Sequence, residues 1–180
     1  DGTFGPSTAY PAGANPHHVA VGDFNGDGTN DLAVVNISSD TVSIFLGNGN
    51  GTFPAAVNYP VGSGPRSVAL GDMNGDGKLD LVTLNVNVNT VSVVLGHGDG
   101  TFGTATNVAT GSSDPYQIIL ADLDADGRPD VVIASYGSSR LITLRNLGGG
   151  LLGNPASYSL GGNPISVVAA DFNHDGRLDL

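Results

Sequence analysis

A nine-residue acidic loop occurs four times in this 180-residue chain at nearly constant spacing, and no other feature limits the fold so strongly. The copies are DFNGDGTND from Asp23, DMNGDGKLD from Asp72, DLDADGRPD from Asp122 and DFNHDGRLD from Asp171. A fixed period of about 50 residues is typical of proteins built from stacked repeats. The loop is therefore one part of a larger repeated unit.

Other residues fall into register when the loops are aligned. A proline precedes each loop by seven positions, tyrosine recurs at three of four equivalent positions, and a Gly-Thr-Phe turn recurs at residues 2–4, 51–53 and 100–102. The fourth copy of that turn has decayed to Gly-Leu-Leu at residues 150–152. These matches predict one domain over residues 1–180, made of repeats at approximately 1–50, 51–99, 100–149 and an incomplete 150–180.

Each repeat contains four short β-prone runs separated by turn residues. In the second copy they are SVALGDM from Ser67, DLVTLNV from Asp80, TVSVVLG from Thr90 and, at the outer end of the previous unit, AAVNYPV from Ala55. The 28 glycines and 10 prolines interrupt any helical periodicity, and the apolar runs are rich in valine. The pattern predicts an all-β propeller of four-stranded antiparallel blades, with the small-residue first strand innermost.

The acidic loops have the composition of metal-binding turns. All 17 acidic residues are aspartate and 13 of them lie in the four loops, whereas the chain has no cysteine for thiolate sites or disulfides. Alternate positions of the loop direct oxygen atoms inward. Oxygen ligands in this number favour Ca²⁺ over Zn²⁺ or Mg²⁺. We expect about one ion per loop and up to four in all. The predicted ligands are the side chains at loop positions one, three, five and nine and the backbone carbonyl at position seven. They are Asp23, Asn25, Asp27, Thr29 and Asp31; Asp72, Asn74, Asp76, Lys78 and Asp80; Asp122, Asp124, Asp126, Arg128 and Asp130; and Asp171, Asn173, Asp175, Arg177 and Asp179.

A helical EF-hand is excluded, because the bidentate glutamate that it needs at position twelve is replaced by Val34, Thr83 and Ile133, which fall within predicted strands. Aspartate-glycine turns are also common in ordinary hairpins. Ordinary hairpin turns do not account for four copies in register, each with aspartate at position nine.

The phrases VAVGDFNGDGTNDLAVVN and VSVVLGHGDGTF resemble the FG-GAP (VCBS-type) repeats of integrin α-subunit-like β-propellers. Such repeats are found in many secreted bacterial proteins and some fungal lectins, and the resemblance covers essentially the whole chain. It implies calcium between the first and second strands of each blade. The third copy departs from the pattern at Leu123, Asp124 and Pro129 but keeps its ligand number.

Any recognition site is expected on the face opposite the acidic loops. In a four-stranded antiparallel blade, the turns after the first and third strands open on one face and those after the second and fourth strands on the other. The acidic loops and the Gly-Thr-Phe turns therefore share a face. The segments that vary between copies, at 36–40, 85–89 and 135–140, lie on the opposite face. Arg66, Tyr116, Tyr136 and Arg140 are the predicted contacts for a protein or carbohydrate ligand. The four histidines share no repeat position, and we expect them to be exposed loop residues.

No catalytic constellation, phosphate-binding loop, basic patch or membrane-spanning run stands out. The sequence therefore predicts a non-enzymatic module that binds no nucleic acid and does not insert into membranes. Since calcium loops of modest affinity fill only at millimolar calcium, an extracellular or cell-surface location is expected. A structural or adhesive role is favoured, with a lectin or an accessory domain of a larger secreted enzyme as alternatives.

The repeats do not complete a circle. We expect an outer strand at residues 7–13, three full blades and an inner strand of a fourth, which is 13 to 14 strands or about three and a half blades. The chain is then either part of a larger propeller or one copy of a homo-oligomer that completes it, since two such chains would supply the 28 strands of seven blades.

Overall fold

The computed structural model describes residues 5–180, so the turn predicted at residues 2–4 lies outside the described part of the chain. Residues 5–180 form twelve β-strands in three groups of four, which we number as blades 1 to 3. Blade 1 contains β1 (Pro16–Gly22), β2 (Asp31–Asn36), β3 (Thr41–Phe45) and β4 (Val57–Pro60). Blade 2 contains β5 (Pro65–Gly71), β6 (Asp80–Asn85), β7 (Thr90–Val94) and β8 (Thr106–Ala109). Blade 3 contains β9 (Pro115–Ala121), β10 (Asp130–Ser135), β11 (Arg140–Leu144) and β12 (Ala156–Ser159).

Each blade is an antiparallel meander whose spatial order follows the chain. Equivalent strands keep the same register: Gly22 lies opposite Asp31 in blade 1, Gly71 opposite Asp80 in blade 2, and Ala121 opposite Asp130 in blade 3. The first strands of neighbouring blades contact each other, β1 against β5 and β5 against β9. The all-β fold of four-stranded blades with innermost first strands is confirmed.

The core lies between blades. All six residues of β6 and all six of β10 are buried, as expected for strands covered on both faces. One hydrophobic cluster joins blades 1 and 2 around Phe24, Leu81 and Phe102, and a second joins blades 2 and 3 around Met73 and neighbouring aliphatic residues. Small and β-branched residues allow the sheets to pack closely at these interfaces.

A buried polar ladder crosses the outer strands of blades 1 and 2. In blade 2 the Asn85 amide donates to the Ser92 hydroxyl at 2.7 Å, and Ser92 donates to Asn107 at 2.6 Å. Ser92 also accepts the Gly62 amide at 3.0 Å, which connects the end of blade 1 to blade 2. The ladder pairs polar groups that would otherwise be costly to bury.

Two expectations about the ends of the chain are wrong. Residues 7–13 form no strand, and the fourth repeat contributes only a bridge between Ala170 and Asp179. The described chain therefore contains twelve strands and not 13 to 14. Within residues 5–180 neither segment has a full neighbouring strand to pair with, and a strand forms only where a partner supplies its hydrogen bonds.

Candidate metal-binding loops and the opposite face

The acidic loops connect the first and second strands of each blade, and the first aspartate organises each of them. Asp23 accepts the Gly26 amide at 2.8 Å through one carboxylate oxygen and the Gly28 amide at 2.8 Å through the other. Asp72 accepts two equivalent amides at 2.7 Å each, and Asp122 and Asp171 make the corresponding bonds to the amide of the sixth loop residue. Glycine at loop position six takes a positive φ in all four copies, between 79° and 84°, which turns the backbone around the carboxylate.

Positions three and five bring more oxygen atoms to the same turn. The Asn25 side-chain amide donates to Asp27 at 3.0 Å, and the Asn74 amide donates to Asp76 at 3.2 Å. In the third copy, ligand atoms of Asp122, Asp124 and Asp126 lie within 4.8 Å of one another. The amide at position seven donates to the aspartate at position five in every copy, from Thr29, Lys78, Arg128 and Arg177.

The aspartate at position nine has a structural role that the sequence analysis missed. Asp80 is fully buried and accepts the Met73 amide at 2.8 Å through one oxygen and the Gly96 amide at 2.8 Å through the other. Asp31 and Asp130 make the same pair of bonds in blades 1 and 3. This side chain thus connects the acidic loop to the end of the third strand. Asp179 accepts the Phe172 amide at 3.0 Å in the fourth copy.

The loops concentrate negative charge next to a buried carboxyl. Burial raises the pKa of Asp80, two backbone amides oppose the rise, and the nearby carboxylates of Asp76 and Asp72 add to it. Burial also acts to raise the pKa of Asp72, but hydrogen bonds from loop amides outweigh it and lower that pKa overall. A cation at the loop would relieve the repulsion between these groups.

In the third loop, cationic side chains of the protein lie against the carboxylates. Arg145 pairs with Asp124 and lies 3.7 Å from Asp126, and Arg128 pairs with Asp126. Lys78 makes a looser pair with Asp76 at 3.9 Å in the second loop. These pairs offset only part of the loop charge, because each loop carries at least three aspartates.

On the opposite face, the structure brings together three of the four predicted contact residues. The guanidinium of Arg66 lies 4.8 Å from the ring centroid of Tyr116, and the rings of Tyr116 and Tyr136 are 6.3 Å apart. Both tyrosines are exposed, and Arg66 pairs with Asp114 at 3.4 Å. Arg140 begins β11, paired with Ser135 across the hairpin that carries Tyr136, and its side chain donates to Ser157 at 3.1 Å.

All four histidines are exposed, as expected. The expectation that they lie in loops is wrong for His17 and His18, which belong to β1 and make contacts between blades. A ring nitrogen of His17 lies 2.9 Å from the Arg66 carbonyl, and the Val68 amide donates to the His18 ring at 3.3 Å. Partial burial of the imidazole lowers the pKa of His18, and the neighbouring His17 lowers it further.

A family model described as an FG-GAP-like repeat matches residues 23–83, 80–133 and 122–180. The chain belongs to this FG-GAP-like repeat family. The matches begin at acidic loops or at their last aspartate, so the repeat inferred from the sequence is confirmed. The sequence matches none of the curated proteins with which it was compared.

Solved structures share the architecture of this FG-GAP-like chain. An Agrocybe aegerita lectin that recognises non-reducing terminal N-acetylglucosamine has a TM-score of 0.58 at 23% identity, over 81% of this chain and 38% of the lectin chain. A periplasmic gluconolactonase from Pseudomonas aeruginosa has a TM-score of 0.60 at 19% identity, over 85% of this chain and 42% of the enzyme chain. A Photorhabdus luminescens Tc holotoxin pore has a TM-score of 0.50 at 20% identity, over 98% of this chain and 8% of that chain.

At these identities the likeness shows the propeller fold alone. The FG-GAP-like chain spans less than half the length of the lectin and of the gluconolactonase. Across residues 5–180, the structure has no helix with the length and apolar character needed to cross a membrane.

Proposed function

We propose that each acidic loop binds one Ca²⁺ and that the ions stabilise an extracellular propeller module with a structural or adhesive role. The observation that carries this proposal is the clustering of oxygen ligands at one turn of every repeat; in the third loop, three carboxylates meet within 4.8 Å. Family membership supports it, since FG-GAP-like repeats are known for calcium loops of this kind.

The donor set fits a hard divalent cation. In the first loop, Asp23, Asn25, Asp27, the Thr29 carbonyl and Asp31 would hold the ion, and the other loops offer the equivalent atoms. The donors are all oxygens and up to five come from one short loop, which suits the high and variable coordination number of Ca²⁺ better than the strict octahedron of Mg²⁺. The backbone amides that hold Asp23 also orient its carboxylate before any ion binds.

The role proposed for the ions is mechanical and not catalytic. Calcium would neutralise the carboxylates and so favour loop closure, which brings the second residue of the loop against the next blade. Calcium sites of modest affinity fill where calcium is about millimolar, as it is outside the cell. For these reasons we propose that the module works outside the cell and has no enzymatic activity of its own.

Calorimetric titration of the chelator-treated protein, together with thermal melting, tests the calcium proposal. We expect up to four ions per chain, and a gain of about 1.4 kcal/mol in unfolding free energy per site when free calcium is ten times the dissociation constant. Asp76→Asn should remove one ion, whereas Asp99→Asn, which changes the same charge outside the loops, should leave the number unchanged. Melting curves that coincide with and without chelator would contradict the structural role.

A second proposal is that the opposite face binds a carbohydrate. The exposed pair Tyr116 and Tyr136, with Arg66 stacked on Tyr116, provides apolar ring surface beside hydrogen-bond donors, which is the chemistry a sugar ring needs. A glycan array tests this, with Tyr136→Ala expected to abolish any signal and Tyr158→Ala, an exposed tyrosine of β12, expected to keep it. Absence of binding to every glycan would leave a protein ligand as the alternative for this face.

A further inference from the structure

The third acidic loop differs from the other three in residue type at position three. Asparagine occupies this position in the first, second and fourth loops, as Asn25, Asn74 and Asn173, whereas the third loop has Asp124. In the first and second loops the asparagine amide donates to the aspartate at position five, at 3.0 and 3.2 Å. An ionised carboxylate has no proton to donate, so Asp124 cannot make that bond and adds a negative charge instead. This extra charge needs a positive partner that the asparagine loops do not need.

The same repeat also differs at the residue that follows the third strand of the blade. Leu46 follows β3 and Leu95 follows β7, but Arg145 follows β11. The two leucines pack against the hydrophobic clusters, whereas Arg145 pairs with Asp124 and lies 3.7 Å from Asp126. Two departures from the repeat pattern thus occur in one copy, and the structure brings them into contact.

A second guanidinium lies against the third loop. Arg128 at position seven pairs with Asp126, and its Nε donates to the Asn146 carbonyl at 3.2 Å. The equivalent residue is the uncharged Thr29 in the first loop and Lys78 in the second, where the ammonium makes only the looser pair at 3.9 Å. Among the loops of the three blades, the third therefore combines the most negative charge with the most positive charge, four aspartates with two guanidinium groups.

These ion pairs use the atoms that a calcium ion would need. Asp124 and Asp126 occupy ligand positions three and five, and their oxygens lie with an oxygen of Asp122 within 4.8 Å of one another. A carboxylate lone pair that accepts a hydrogen bond from a guanidinium is not free to bind a metal ion. Calcium therefore gains its full set of ligands in this loop only when Arg145 moves away, and the guanidinium repels the ion while it remains nearby.

We propose that Arg145 is the resident counter-ion of the third loop, so that this loop closes without calcium and fills with calcium only after the first and second loops. The inference rests on the calcium sites proposed above and assigns them unequal affinities. An ion that must displace a bound group has an apparent affinity reduced by the fraction of molecules in which the site is already free. Blade 3 thus keeps its acidic loop closed at calcium concentrations that empty the loops of blades 1 and 2.

Nuclear magnetic resonance titration of the chelator-treated protein with CaCl₂ tests the proposal, because each loop contains its own reporter. The glycine at position six donates its amide to the first aspartate, so the amide signals of Gly28, Gly77 and Gly127 report the first three loops separately. In the wild-type chain, Gly28 and Gly77 should shift at lower calcium than Gly127. Arg145→Leu introduces the residue type of the first two blades. It should lower the calcium midpoint of Gly127 about tenfold, the effect of removing one positive charge a few ångströms from a divalent ion, and leave that of Gly28 unchanged.

Arg140→Leu is the matched control, because it removes the same charge at the opposite end of β11 and should leave all three midpoints unchanged. A second measurement needs no calcium: in chelator, the Gly127 amide should exchange with solvent several-fold faster in Arg145→Leu than in the wild-type chain. Circular dichroism establishes that the variants are folded, and Arg145→Gln replaces Arg145→Leu if that variant unfolds.

The outcomes separate this inference from the calcium proposal on which it rests. Calcium responses at Gly28 and Gly77 with the Gly127 midpoint equal to theirs, or unmoved by Arg145→Leu, would overturn the inference and leave the calcium proposal standing. If none of the three amides responds to calcium, the calcium proposal fails and the unequal affinities fail with it. Equal exchange of the Gly127 amide in chelator, with and without Arg145, would overturn the counter-ion role whatever the calcium result.

Discussion

At the scale of single residues, the ninth aspartate of the first three loops has a structural role besides the calcium-ligand role predicted for it, and a sequence motif cannot separate the two. As a predicted calcium ligand it belongs to the loop, but in the structure Asp80 also satisfies two backbone amides from different segments while fully buried. Motif spacing reports which oxygens share a turn. It does not report which amides a fold leaves without a partner, because those depend on how the third strand ends.

Asp80→Ala is expected to destabilise the protein even without calcium. The substitution leaves the amides of Met73 and Gly96 buried and unpaired, at a cost of about 1–3 kcal/mol for each. Chemical denaturation in chelator measures the change in unfolding free energy. Asp76→Ala, at an exposed position of the same loop, should be nearly silent in chelator and should differ from wild type only when calcium is added. Equal small effects of both variants in chelator would show that Asp80 has no such bracing role.

His18 should make the stability of the protein depend on pH near neutrality. Its folded pKa lies below the ordinary value of 6.5, chiefly because the imidazole is partly buried, so the unfolded chain binds the proton more readily. Stability is therefore full above pH 6.5 and falls as the pH drops from there towards the folded pKa. Denaturation midpoints between pH 7.5 and 5.5 measure this loss. His18→Asn should reduce it, and His97→Asn, at an exposed turn, should not.

At the scale of strands, the repeat pattern predicted the blade well where every strand has both neighbours. The second and third strands of blade 2 begin at Asp80 and Thr90, the residues at which the sequence pattern placed them. The pattern failed at residues 7–13 and in the fourth repeat, because a β-run becomes a strand only when a partner supplies its hydrogen bonds. The polar ladder through Ser92 was also missed, since alternation marks that position as inward-facing but does not identify its partners.

The close approach between the acidic loop and the end of the third strand requires glycine at position 96. An added Cβ would lie 2.2 Å from the Leu79 carbonyl oxygen, so the backbone itself would have to move. We expect Gly96→Ala to lower the unfolding free energy by about 1–3 kcal/mol, the usual cost of overpacking. Gly103→Ala is the matched control, because the nearest atom there is 3.6 Å away. Equal melting temperatures for the two variants would contradict the predicted clash.

At the scale of the whole molecule, the acidic loops and the residues predicted to contact a ligand lie at opposite ends of the strands. The acidic loops carry 13 of the 17 aspartates, whereas Arg66, Tyr116, Tyr136 and Arg140 lie at the strand ends away from those loops. Sequence parity predicted this division, because turns of the same parity open on one face. It could not predict that Arg66 of blade 2 reaches Tyr116 of blade 3, since that distance depends on side-chain directions at the blade interface.

This uneven charge predicts how stability responds to salt. Carboxylates within one loop lie only a few ångströms apart. Salt at 0.1 M, with a Debye length of about 10 Å, screens their repulsion weakly, whereas salt at 1 M, with a Debye length of about 3 Å, screens it well. In chelator, the melting temperature should therefore rise from 0.1 to 1 M NaCl. In saturating calcium the ions neutralise the loops directly, so the rise should be much smaller. The calcium-loaded protein is the control for general effects of salt on apolar burial. An equal rise in melting temperature with and without calcium would mean that repulsion within the loops contributes little to stability.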